Sequence, residues 1–157
     1  AAGATGAATG WYNSLRMFRT VKWVPQSGGR QATPRLFAEP LLSPLDRDGE
    51  AINIARSSVG DLVFPDDDVR DALTHEEPWG VSDSWQQHLI AMSQVYESVD
   101  MNAPVADRVS SLSVKIADAV DLLGQVALSG ASISASYETQ LRSLRQGLEM
   151  FAEAEGL

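Results

Sequence analysis

Hydrophobic positions along this chain change period near residue 65. Over residues 15–24 they roughly alternate: Leu15, Met17, Val21 and Trp23 fall on one side, Arg16, Phe18, Thr20 and Lys22 on the other, and Pro25 ends the run. A period of two predicts a strand. Gln26, Ser27, Gly28, Gly29 and Arg30 come next as turn chemistry, because paired glycines reach positive φ without steric cost, and a short hairpin returning through residues 31–33 is expected. Pro34, Pro40 and Pro44 then divide an apolar run of Leu36, Phe37, Leu41, Leu42 and Leu45. Each proline lacks an amide donor, so these pieces are expected to be neither helix nor central strand and to lie extended over another surface. After the Asp48-Gly49 turn, Ile52 and Ile54 predict a further strand, and residues 61–64 another, closed by Pro65.

Beyond that point the period is helical. Residues 66–73 predict a short helix with acidic residues in its first turn, where they complement the helix dipole. After the break at Pro78 and Gly80, Ser82 or Asp83 can cap a longer helix on which Trp85, Leu89, Met92, Tyr96 and Val99 recur in steps of four and three. Asn102 and Pro104 mark the next start. Val105, Val109, Leu112, Ile116, Ala119, Leu123 and Val126 keep the same steps, and past Ser129-Gly130 a third run carries Ile133, Tyr137, Leu141, Leu144, Leu148 and Phe151. Consecutive amphipathic helices on short loops are expected to pack antiparallel. Val114, Val120, Leu122 and Leu128 lie off the seam, so the middle helix has apolar surface to spare, for a second layer or for another copy.

The expected fold is therefore mainly α, with α+β as the variant. Residues 1–10 form a small, uncharged, flexible tail, residues 11–64 an extended, partly β arm with its proline-broken segment, and residues 65–157 an antiparallel three- to four-helix bundle. At 157 residues one domain can bury a core unaided. Apolar runs are far shorter than the roughly 20 residues that cross a bilayer, so membrane insertion is not expected.

Charge sharpens the division. Residues 1–38 carry Arg16, Arg19, Lys22, Arg30 and Arg35 without a single acid, hence +5, whereas residues 39–157 carry −14, for a total of −9. A chain so divided complements itself, either internally or between copies. Arg16, Arg19, Lys22, Trp23, Arg30 and Arg35 are the expected contact arm; Asp66, Asp67, Asp68, Asp71, Glu76 and Glu77 are the expected acidic counter-surface. Cations interleaved with Trp11, Tyr12, Phe18 and Trp23 also suit single-stranded nucleic acid. The acidic remainder would repel a polyanion, which makes that the weaker reading.

Catalytic groupings are scarce. The two histidines, His75 and His88, lack ligand spacing to each other, the aspartates lack the order of a calcium loop, and no serine sits in a nucleophile elbow. There is no cysteine, which excludes disulfides and thiolate chemistry. The chain is expected to act without metal or cofactor, as a structural subunit rather than an enzyme. Its expected partners are other copies of itself and other subunits of one assembly, most concretely a coat, shell or connector of a virus or phage particle, in a virion or a cytoplasmic assembly. A helical adaptor that binds another protein is the alternative.

Overall fold

In the computed structural model, residues 33–75 and 78–157 are described, and all belong to one unit, residues 32–157. The strand and glycine turn expected over residues 15–33, and the tail before them, lie outside the described residues apart from residue 33. The described chain is mostly helical, with one small antiparallel sheet.

The proline-broken segment is extended, and its two pieces pair with each other. It folds as a hairpin, β1 (Arg35–Ala38) and β2 (Ser43–Asp46), both edge strands of a two-stranded sheet, joined by a 3-10 turn, Glu39–Leu41. Arg35 pairs with Asp46, Leu36 with Leu45, Phe37 with Pro44 and Ala38 with Ser43. Proline is tolerated because the backbone N–H and C=O of Phe37 point away from β2, which makes Phe37 and Pro44 a pair that exchanges no ladder bonds. Pro40 sits in the first turn of the 3-10 segment, where its fixed φ is already suitable.

Two expected strands are helices instead. Residues 47–51 form a π-helical turn that runs into α1 (Ile52–Ala55), and residues 60–63 form α2 (Gly60–Val63). The cause in the first case is a reciprocal cap. Asp46 Oδ1 accepts from the Gly49 N–H at 2.9 Å, and Glu50 Oε2 accepts from the Asp46 N–H at 2.9 Å, so the chain is turned into a helix before Ile52. Both Ile52 and Ile54 are buried, because this short helix is covered on more than one side.

The later helices follow the sequence pattern closely. They are α3 (Asp67–Thr74), α4 (Val81–Glu97), α5 (Val105–Leu128) and α6 (Ser136–Glu155). Asp66 caps α3, accepting from Asp68 and Val69 N–H. Gly80, rather than Ser82 or Asp83, is the cap position of α4, and Asp83 reaches back to accept the Gly80 N–H at 2.7 Å. Gly130, at φ 81°, ends the turn after α5.

One core joins these pieces and crosses residue 64. Leu36, Leu41 and Leu45 of the hairpin meet Ile54 of α1, Val63 of α2, Leu73 of α3, Ala119, Leu123 and Val126 of α5, and Tyr137 and Leu141 of α6. The 3-10 turn packs on α5, so the layer expected over the middle helix is in part this chain's own hairpin. Helices α5 and α6 pack against each other, but α4 makes its main contacts with β1 and the 3-10 turn, so three consecutive helices do not simply cover one another's stripes.

Gly60 marks the tightest backbone approach. A Cβ there would lie 2.4 Å from the Ala55 carbonyl oxygen, a contact that only a backbone shift can relieve. Gly60→Ala should therefore destabilise the fold by about 1–3 kcal/mol despite alanine's higher helix propensity, as read from the urea midpoint.

Candidate functional site

Among the described residues, a concave surface lies between the hairpin, the α2–α3 connection and α4. It begins with how α4 is attached. The side-chain amide of Gln87 accepts from the Phe37 N–H at 2.8 Å and donates to the Phe37 C=O at 2.8 Å, as a neighbouring strand would. Ser84 Oγ accepts from the Arg35 N–H at 2.9 Å and from Trp79 Nε1 at 3.0 Å, and donates to the Gly80 C=O. The outer edge of β1 is thus closed by two side chains of a helix. His88 packs edge-on against the Phe37 ring, with centroids 4.8 Å apart, and burial lowers its pKa to about 4.

This attachment explains where the predicted α4 seam went. The inward residues are Ser84, His88, Ala91 and Val95, one position earlier than Trp85, Leu89, Met92 and Tyr96; of the expected seam, Trp85 is half-buried and Val99, just past the helix, is buried. A strand edge needs hydrogen-bond donors and acceptors, so polar residues take the inward face. Leu89 and Tyr96 are left 65% and 60% exposed, with Met92 also outward. On α5 and α6 the expected seam is inward over its middle: Ile116, Leu123 and Leu141 are buried, and Val109, Leu112 and Leu148 half-buried. Leu144 and Phe151, toward the far end of α6, are exposed.

Between β1 and α4 a groove of about 760 Å³ opens, floored by Val63, Phe64, Val69 and Trp79, with Ile90 on its α4 wall. Glu39, Asp66 and Asp83 also line it, and no lysine or arginine does among the described residues. Asp66 and Asp83 use oxygens in helix caps, and Glu39 lies 3.5 Å from Lys115. Asp67, ion-paired to Arg70, and the exposed Asp68 and Asp71 extend the acidic surface along α3. Glu76 and Glu77 lie outside the described residues, as do Arg16, Arg19, Lys22, Trp23 and Arg30.

Arg35, expected in the arm, belongs to the folded body. It opens β1, and its Nη1 donates to the Pro44 C=O at 3.1 Å. It borders a second depression, of about 480 Å³, with Asp46, Glu50, Asn53 and Tyr137. There the polar groups are largely committed to each other. Glu50 accepts from the Asp46 N–H, the Ser134 N–H and the Tyr137 hydroxyl, the last at 2.6 Å. Burial foremost, then the Glu50 carboxylate, pushes the Tyr137 phenol far above its usual range.

Among the described residues no three of histidine, aspartate and glutamate are grouped to hold a metal ion, and no helix is long and apolar enough to cross a membrane. His75 stays at the end of α3, its ring against the Asp71 C=O. Comparison with protein-family models, with curated proteins and with solved structures returns no match.

The Gln87 bridge is not foreshadowed by the hydrophobic pattern. Its only trace in the sequence is a glutamine placed one turn after Ser84. Replacing it with alanine would leave two backbone groups of the buried Phe37 without partners, at a cost of about 1–3 kcal/mol each where water cannot enter. Gln87→Ala should lower the denaturation midpoint clearly more than Gln86→Ala beside it. The lowered His88 pKa sets a pH dependence. Below about 6.5 the unfolded chain takes up a proton that the folded chain resists until about pH 4, so His88 contributes full stability above 6.5 and loses it as pH falls to 4. The stability gap between the native chain and His88→Gln, from urea unfolding, should narrow across that window.

Proposed function

We propose that this chain is a structural subunit of a large assembly, without catalytic activity, that touches neighbouring copies through its N-terminal segment and its outward helix faces. The observation that carries this reading is the outer face of α4, where Leu89, Met92 and Tyr96 are exposed to solvent on a helix whose inward side is bonded to β1 through Ser84 and Gln87. Contiguous apolar surface of this kind marks contact with another macromolecule. The exposed Leu144 and Phe151 on α6 add a second such face.

Charge supports the same reading. Residues 1–32 carry +4 through Arg16, Arg19, Lys22 and Arg30 with no acid, and residues 33–157 carry −13, which together make the net −9. Copies that each bear a cationic segment and an acidic body can join head to tail, which closes into rings or shells or extends as filaments. A coat, shell or connector of a virus or phage particle is the most concrete member of that class.

Light scattering tests it. The full-length chain should have a mass several times its 16.9 kDa at low salt and a smaller one at high salt. Leu89→Glu with Tyr96→Glu should bring the mass down to a single chain while helical circular dichroism is retained. Truncation should stop at residue 32, because removing β1 would take Leu36 out of the core. A native chain that stays near the 16.9 kDa of one copy at every salt concentration would overturn the assembly reading in favour of an adaptor for a different protein.

A further inference from the structure

We propose that the groove between β1 and α4 receives residues 16–23 of a neighbouring copy, an inference that rests on the assembly reading above. Three features of the groove narrow its occupant. Its floor of Val63, Phe64, Val69 and Trp79 favours apolar and aromatic side chains. Its charged lining consists of carboxylates alone among the described residues, which repels nucleic acid and acidic peptides and attracts cations. The outer edge of β1 is already bonded to Gln87 and Ser84, so an incoming segment cannot add to the sheet through its backbone and must be read by its side chains.

Within this chain one stretch has the matching chemistry. Residues 16–23 carry Arg16, Arg19 and Lys22 together with Met17, Phe18, Val21 and Trp23, and contain no acid. Aromatic side chains supply large contact area at low entropy cost, and the cations between them lie within reach of carboxylates on a groove wall. Because each copy bears one groove and one such segment, the contact is heterologous and propagates. Its ionic part is partly exposed, so it weakens as salt shortens the screening length.

The native chain has no cysteine, so an introduced pair reports proximity without background. Full-length chains carrying Ile90→Cys, in the groove wall, are mixed with full-length chains carrying Thr20→Cys, between Arg19 and Lys22, and oxidised. Ile90 is exposed and lies outside the core. The expected product is a disulfide-linked pair at twice the chain mass, in at least fivefold higher yield than from either variant alone. Adding Gln86→Lys and Gln94→Lys to the groove-bearing chain places cations in the lining without disturbing a helix cap, and should reduce that yield at least fivefold with circular dichroism unchanged. If light scattering shows assembly while the mixed disulfide is no more abundant than the self-linked products, or is indifferent to the two lysines, this inference falls and the assembly reading stands. A chain that remains monomeric removes both.

Discussion

The Glu50 carboxylate is the junction on which the described fold depends. Through one oxygen it accepts the Asp46 N–H and the Tyr137 hydroxyl, and through the other the Ser134 N–H. Those three donors belong to the end of β2, to α6 and to the loop that leads into α6. One side chain therefore fixes the hairpin, the turn into α1 and the α5–α6 pair relative to one another, across 84 to 87 residues of sequence in two of its bonds. Tyr137 contributes from the other side, its hydroxyl also within 3.0 Å of the Pro44 C=O. With Leu36, Leu41, Leu45, Ile54 and Leu141 fully buried beside this junction, each adding about 1.5–3 kcal/mol of apolar burial, polar geometry sets the arrangement and apolar area supplies most of the driving force.

Helix α4 is held by a different principle. Its inward face offers only Ala91 and the half-buried Val95 as apolar contacts, and its bonds to β1 come from Ser84 and Gln87. Leu89, Met92 and Tyr96 are on its far side. A helix fixed by directional bonds on one face and left hydrophobic on the other is poorly explained by the needs of a single chain, since the same residues rotated by one position would have enlarged the core. That inversion is what gives the assembly reading its physical content.

Legibility in the sequence followed the kind of signal each element left. The bounds of α5 and α6 emerged within a few residues because heptad steps and a glycine break are local and redundant. Burial of Ile116, Leu123 and Leu141 was equally readable, since apolar residues there meet apolar partners. The short elements were not readable in the same way. Pro44 argued only against a central strand, and which partner β2 would pair with was not written in its own residues; the helical turn before Ile52 depends on the Asp46 and Glu50 side chains accepting backbone N–H groups on either side of the turn. On α4 the periodicity was right and the phase was off by one, because a strand edge, invisible in the sequence, asks for polar partners. The groove shows the same limit. Asp66 was legible at the start of a helix, but nothing in the sequence set Asp83 and Glu39 beside it.

Closing the edge of β1 also restricts how copies of this chain can meet. An open edge of a two-stranded sheet invites strand addition without regard to side chains, which leads to indiscriminate association. Gln87 satisfies both backbone groups of Phe37 and Ser84 satisfies the Arg35 N–H, so that route is occupied by the chain's own helix. On the other edge, Pro44 removes a donor at the middle of β2, and its C=O is taken by Arg35 and Tyr137. With both edges engaged, association through the described surface is left to side chains: the apolar faces of α4 and α6, and the acid-lined groove between β1 and α4. Contacts of that kind depend on matching shape and charge, so they can specify one neighbour in one orientation, as a subunit of an ordered assembly requires.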